Sequence, residues 1–150
     1  MARLDALHQL KLLDTSPSEQ FDRITRMAAP IFSLPIAAVS LTDRDRQWFK
    51  ARYGLGAAET PREHAFCAHT IKGDELFIVE DATKDARFAN NPLVTGDPNV
   101  RYYVGAPLIT PDNQHFGSLC VIDNTPREAP NDDLRAVLAL LALSAPIGMR

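Results

Sequence analysis

Apolar and polar residues alternate along both arms of the segment from Val100 to Asp123. Val104, Ala106 and Leu108 alternate with Tyr103, Gly105 and Pro107; beyond the turn at 110–114, Leu119 and Val121 alternate with Ser118, Cys120 and Ile122. A period of two marks strands with two different faces, so residues 100–109 and 115–123 form a hairpin. One face is aliphatic. The other mixes small, polar and aromatic residues, and Gly105 and Gly117 leave room for something to approach the backbone. A sheet with one dry face and one mixed face packs helices on the first and lines a cavity with the second.

The rest of the chain supplies those layers. Leu4, Leu7 and Leu10 recur at helical spacing and predict a short amphipathic helix over residues 3–13. Asp14-Thr-Ser-Pro-Ser-Glu19 interrupts it: Ser16 suits an N-cap, Pro17 the first helical position and Glu19 a capping box. The helix that follows carries Phe21, Ile24, Ala28 and Ile31 on one face and ends at Leu34-Pro35. Residues 36–42 read as a strand, with Ala37, Val39 and Leu41 on one side. Asp43 to Arg46 is a polar turn, and Gln47 to Tyr53 returns as the second strand of a hairpin. Leu76 to Glu80 is a third strand. Asn131 caps a last helix that begins Asp132-Asp133 and buries Leu134, Leu138 and Leu141.

Two segments remain, 57–75 and 81–99. Each is long against the roughly 4–6 residues that usually connect elements in a compact domain. Residues 66–72 and 85–89 are the expected short helices within them. The order predicts an α+β sandwich in one domain over residues 1–150: a central antiparallel sheet of five to six strands, terminal helices on its aliphatic face, and the two crossovers covering a pocket on the other.

Composition narrows the function classes. The chain has 150 residues, 45% of them hydrophobic, enough for a single core. A net charge of −3 and the lack of a basic stripe argue against nucleic acid as a partner. The apolar stretch 136–149 falls short of the roughly 17–25 residues of a membrane span and is interrupted by Ser144 and Pro146, so no membrane partner is expected. The N-terminus has no apolar signal-peptide core. The two cysteines, Cys67 and Cys120, make no disulfide framework. These features predict a cytoplasmic protein with free thiols.

Several segments in order make the chain resemble a GAF domain of the bacterial signalling type, as in sensor histidine kinases and diguanylate cyclases. They are Leu12-Leu-Asp-Thr15, Val39-Ser-Leu-Thr-Asp43, Arg46-Gln-Trp-Phe-Lys50, Glu59-Thr-Pro-Arg62, Phe66-Cys-Ala-His69, Val79-Glu-Asp-Ala82, Arg87-Phe-Ala-Asn-Asn-Pro-Leu-Val94, Tyr102-Tyr-Val-Gly-Ala-Pro-Leu108 and Gly117-Ser-Leu-Cys-Val-Ile-Asp123. The resemblance implies a small-molecule pocket under the crossovers, a homodimer formed through the terminal helices, and an attached kinase or cyclase output domain. It names no ligand and no cofactor, because fold and function are separable. A signalling helix would continue beyond Arg150, and Pro146 would break it.

Candidate ligand-binding residues are Trp48, Phe66, Cys67, His69, Asp81, Phe88, Tyr103, Gly105, Ser118 and Cys120. Aromatic walls with a few polar groups suit a ligand site, although aromatic residues also dominate ordinary cores. Tyr102 and Tyr103, adjacent in a strand, face opposite ways, so one lines the pocket and the other packs under the helices or at an edge. His64-x-x-Cys67-x-His69 has metal-binding side chains, but a zinc site needs four ligands, and Cys67 and His69 two apart on a helix point to different faces. No metal is expected. A thiol enzyme resembling the GAF-type free methionine sulfoxide reductases would need a second cysteine in the crossover before the fourth strand, and residues 84–103 contain none. The Asn-Lys-Phe-Asp-Glu signature of cyclic-nucleotide-binding GAF domains is missing, as is an obvious bilin-attachment cysteine. The expected function is a non-catalytic sensory module that passes ligand state through its terminal helices. The alternatives are a structural dimerisation module with a vestigial pocket and, more remotely, a thiol-dependent reductase.

Overall fold

The computed structural model describes residues 2–96 and 99–145, with the side chain of His64 outside the description. Six strands form one sheet: β1 Ile36–Thr42, β2 Arg46–Tyr53, β3 Glu59–Pro61, β4 Phe77–Val79, β5 Tyr102–Ile109 and β6 His115–Asp123. Their order is β3-β2-β1-β6-β5-β4, and every neighbouring pair is antiparallel. β3 lies inside the segment that the sequence assigned to a crossover. Three residues with mixed exposure carry too little alternation to be seen beforehand.

Helices α1 Ala2–Gln9, α2 Glu19–Phe32 and α5 Asp132–Leu143 pack on one face; α3 Cys67–Thr70 packs on the other, against β1, β5 and β6. The sheet therefore separates two cores. Under the long helices lie Leu7, Phe21, Ile24, Val39, Leu41, Tyr102, Val104, Leu119, Val121 and Leu138. Under the crossovers lie Phe49, Phe66, Cys67, Phe88, Tyr103, Cys120 and Ile122. The period-two reading of β5 and β6 holds for Tyr102, Val104, Ala106, Leu108, Leu119 and Val121, which face the helices, and for Tyr103, Cys120 and Ile122, which face the crossovers; Gly117, expected on the mixed face, instead pairs with Leu41 and Leu108 on the helix side.

The helix boundaries need correction. α1 stops at Gln9 rather than running to residue 13, because Lys11 and Asp14 take left-handed backbone (φ 56° and 59°). α2 begins at Glu19, not at Pro17. Ser18 flanks it without a side-chain cap, and Ser16 instead gives its carbonyl to the Lys50 ammonium at 2.6 Å. Ile31 is exposed at 42%, while Phe32 takes the buried place. Pro30 sits inside the last turn of α2, and left-handed Ser33 (φ 56°) closes it. In α5, Asn131 caps as expected through Leu134 N–H at 2.9 Å. Only Leu138 is fully buried there; Leu134 and Leu141 are half-buried at the core's edge. No helix forms over 85–89: residues 86–90 are turns, and the helical turns of that crossover lie on either side, at Ala82–Lys84 (3-10) and α4 Pro92–Thr95. The expected break at Pro146 falls outside the described residues.

Two local devices shape the sheet, one on each side: the bulge in β2 on the cavity side and Gly117, opposite Leu41 and Leu108, on the helix side. A bulge makes Val39 pair with Ala51 and Ser40 with Phe49, leaving Lys50 as the extra residue. Phe49 then faces the crossovers, Ala51 faces the helices, and Lys50 reaches Thr15 Oγ1 at 2.7 Å. The second device is Gly117, where a Cβ would stand 2.0 Å from the Ser40 carbonyl oxygen. The room at Gly117 is filled by the backbone of β1.

Candidate functional site

A partly enclosed cavity of about 270 Å³ lies between β2, β6 and the crossovers. It is lined by Phe49, Leu55, Phe66, Leu93 and Ile122, with Gln47 and Thr60 on the β2 and β3 side, and the most deeply buried of its lining residues are Cys67, Tyr103 and Cys120. β2 contributes Gln47 and Phe49 because residues two apart share a strand face. β6 contributes Cys120 and Ile122 for the same reason. A larger groove of about 810 Å³ lies across the molecule between β5 and α5. It is open to solvent, with no comparable convergence of buried polar groups. The partly enclosed cavity is therefore the candidate site.

These three residues belong to a buried polar cluster. The Tyr103 hydroxyl lies 3.0 Å from Cys67 Sγ, 2.9 Å from Thr70 Oγ1 and 3.4 Å from Ser118 Oγ. Ser118 donates to Cys67 Sγ at 2.9 Å. The Ser40 hydroxyl is buried nearby with no partner within hydrogen-bond distance, yet its dipole still favours the Cys67 thiolate. Burial opposes charge on Cys67. The Cys120 thiol and the hydroxyls of Ser118, Ser40 and Tyr103 outweigh it and bring the Cys67 thiol down to about 7 from 9.0. The Cys67 thiolate and burial in turn push Cys120 up, and burial followed by the two thiols pushes Tyr103 up. Within the cluster Cys67 is the group drawn toward ionisation, while Cys120 and Tyr103 are pushed toward their protonated forms.

Gly105 lies beneath this cluster. A Cβ there would come within 2.5 Å of the Tyr103 oxygen and 2.8 Å of Thr70 Oγ1. The space that the sequence offered to a ligand is taken by the protein's own hydroxyls. Phe66 and Phe88 stack at 4.0 Å between centroids with 8° between planes, so Phe88 stands behind the cavity wall and holds it.

Of the ten residues singled out from sequence, Phe66, Cys67, Tyr103 and Cys120 line the cavity. Ser118, Gly105 and Phe88 support these from outside it. Three belong elsewhere. Trp48 pairs with Leu41 and packs against the helix-side core. Asp81 caps the 3-10 turn at the surface, accepting from Thr83 N at 3.0 Å and from Thr83 Oγ1 at 2.6 Å, and that hydroxyl lowers its carboxyl pKa. His69 stacks on Phe77 at 5.7 Å and meets Phe88 edge-on at 5.0 Å, beside an outer groove with Arg62 and Lys72. Burial, Lys72 and Arg87 lower its pKa. Among the described residues no group of three His, Cys, Asp or Glu could hold a metal ion. The His64 side chain of the proposed triplet lies outside the described residues.

Gln47, Phe49 and Thr60 also line the cavity but were not among the ten candidates. A signal for the first two was present: the turn at 43–46 sets Thr42 opposite Gln47 and Leu41 opposite Trp48, and opposed residues share a face. Trp48 then belongs with the aliphatic Leu41, and Gln47 and Phe49 with the cavity.

Comparison with known proteins gives a consistent picture. The family model described as "GAF domain" matches residues 16–146. A cyclic di-GMP phosphodiesterase of Pseudomonas aeruginosa is 49% identical over 119 residues, covering 79% of this chain and 20% of that protein. The chain thus spans about a fifth of that relative. The GAF domain of an Acinetobacter phosphoenolpyruvate-protein phosphotransferase superposes with a TM-score of 0.70 at 18% identity, covering 96% of this chain and 90% of the other. A type II free methionine-R-sulfoxide reductase from Thermoplasma acidophilum gives 0.64 at 11% identity, covering 85% and 91%. At such identities the structural matches show the fold alone. Among the described residues no helix is long and apolar enough to cross a membrane.

Proposed function

The chain belongs to the GAF domain family, and from that premise we propose that it is a non-catalytic sensory module. It binds a small molecule in the partly enclosed cavity and passes the bound state through its terminal helices to an output domain. The likeness to part of a cyclic di-GMP phosphodiesterase supports an output of the phosphodiesterase, cyclase or kinase kind.

The observation that carries this reading is the cavity's position on strands shared with the helix layer. In β6, Cys120 lines the cavity, while Leu119 and Val121 on either side of it lie in the helix-side core. In β5, Tyr103 stands between Tyr102 and Val104 in the same way. A ligand that presses on these residues displaces strands on which α1, α2 and α5 rest. Signalling follows if the ligand binds two arrangements of those strands differently. Against catalysis stands the setting of the one activated thiol. Cys67 is 2% exposed and ringed by hydroxyls, and His69 is stacked on aromatic rings instead of serving as its base.

Native mass spectrometry of the protein taken straight from cells, set against its denatured mass, tests the proposal. A non-covalent mass excess that disappears in a Leu93→Trp variant, which fills the cavity, supports it. A bare wild-type chain from cells grown under varied conditions refutes it.

A second reading, a structural dimerisation module, is favoured by Leu140 and Leu143, which stand 64% and 81% exposed on α5. Sedimentation at several concentrations tests it: a concentration-independent monomer removes it, and a dimer dissociated by Leu140→Glu with Leu143→Glu supports it.

A further inference from the structure

The cavity's own chemistry defines the class of molecule it accepts, an inference that rests on reading it as the ligand pocket. Among its lining residues there is no Asp, Glu, Lys, Arg or His. A ligand with a net charge would lose its hydration there and gain no counter-ion. The Cys67 sulfur, the one lining group whose pKa is lowered, already has Ser118 and Tyr103 in contact at 2.9 and 3.0 Å. It therefore has no need of a cationic ligand.

A second observation points to a specific contact. Gln47 is 5% exposed, and its Nε2 donates to Thr60 Oγ1 at 3.2 Å. Its Oε1 is buried with no partner. Of the buried side-chain atoms left unpartnered among the described residues, this oxygen alone belongs to a residue lining the cavity. Buried acceptors are satisfied in folded proteins unless something is missing from them. An N–H or O–H donor entering the cavity would satisfy this oxygen, and the apolar lining beside it is Phe49, Phe66, Leu55 and Ile122.

We propose that the cavity binds an uncharged, predominantly apolar small molecule, aromatic or alicyclic, whose single N–H or O–H donates to Gln47 Oε1 while its body lies against Phe49 and Phe66. At about 270 Å³ the space sits at the lower end of ligand pockets and admits a one- or two-ring molecule. Anionic nucleotides, phosphate esters and carboxylates are excluded by charge.

Isosteric probes test this on the intact chain by NMR titration. Indole offers one N–H donor; benzofuran has the same shape with an acceptor oxygen in its place; indole-3-acetate adds a negative charge. Indole is expected to bind, with shifts centred on Gln47, Phe66 and Tyr103, and benzofuran about tenfold more weakly, since a hydrogen bond to a buried acceptor is at stake. Indole-3-acetate is expected to bind more weakly still. In Gln47→Met the indole–benzofuran gap should close with affinity for benzofuran retained. If that variant does not fold, Gln47→Asn, which withdraws the carboxamide by one methylene, should narrow the gap. Equal affinities for the two neutral probes, tighter binding of the anion, a gap that survives at position 47, or no binding of either neutral probe at millimolar concentration would each overturn the assignment. The sensory reading fails separately: the native mass measurement can find a cellular ligand that is charged, which sinks only the ligand class, or none at all, which sinks the sensor.

Discussion

Replacing Tyr103 by Phe removes one oxygen from the centre of the buried cluster and leaves the ring in place. That oxygen has contacts with Cys67 Sγ at 3.0 Å, Thr70 Oγ1 at 2.9 Å and Ser118 Oγ at 3.4 Å. Ser118 continues to hold Cys67 at 2.9 Å, so the burden falls on the Thr70 hydroxyl, itself in a residue only 1% exposed. A hydrogen bond contributes about 0.5–1.5 kcal/mol net, and a buried group left without its partner costs about 1–3 kcal/mol. The expected loss is about 2 kcal/mol. Equilibrium urea unfolding reads it as a midpoint lowered by about 1 M at an unchanged slope, given slopes of roughly 1–3 kcal/mol per molar. Adding Thr70→Val should recover part of the loss, because removing both partners is milder than orphaning one. The Cys67 thiol should also rise from about 7, since the Tyr103 hydroxyl is one of the donors that hold it down. Absorbance of the thiolate near 240 nm follows that titration. A Tyr103→Phe protein within about 0.5 kcal/mol of wild type, the range of an inert surface change, would refute the cluster as a stabilising unit.

Three further outcomes follow from the same structure. Cys67 titrates at about 7 in the fold against 9.0 ordinarily, so between these values the unfolded chain holds a proton that the folded chain has lost. Stability should therefore rise with pH from 7 to 9 and lose this contribution as pH falls through 7, a slope that Cys67→Ser should flatten in urea titrations at a series of pH values. Cys120 and Tyr103, both pushed up, act in the opposite sense above that window. Gly117→Ala places a Cβ 2.0 Å from the Ser40 carbonyl oxygen, a backbone atom in a central strand, and should cost at least the roughly 1–3 kcal/mol of core overpacking; thermal melting by circular dichroism checks it. Phe88→Ala removes the ring stacked 4.0 Å from Phe66 and should cost about 3–5 kcal/mol while loosening the cavity wall, visible as broadened Phe66 resonances.

Most of the fold was legible in the sequence, because alternation in β1, β5 and β6 encodes two faces directly and those faces became two cores. The helix ends were less so. Ser16 has a good capping side chain and the right neighbours, but Lys50, displaced by the bulge in β2, takes its carbonyl and moves the helix start to Glu19. That contact spans 34 positions, and no local rule contains it.

The site was half legible for a related reason. Tyr103 and Cys120 declared themselves as polar or reactive groups on the mixed face and Cys67 as a thiol in the crossover above it, and the fold brought them together. The two glycines misled: in a strand they signal close approach, but not by what. At Gly117 it is the backbone of β1, and at Gly105 the hydroxyls of Tyr103 and Thr70. Gly105 gives the cluster its geometry by letting a tyrosine oxygen sit where a Cβ would be, while Gly117, on the helix side, lets the β1 backbone close in. The cavity's polar chemistry is thereby largely consumed from within, leaving Gln47 Oε1 as the lining acceptor without a partner among the described residues. On the proposed reading, recognition falls to this amide on β2 rather than to the reactive-looking cysteines, while the cysteines and Tyr103 tie α3 to β5 and β6 beneath the cavity.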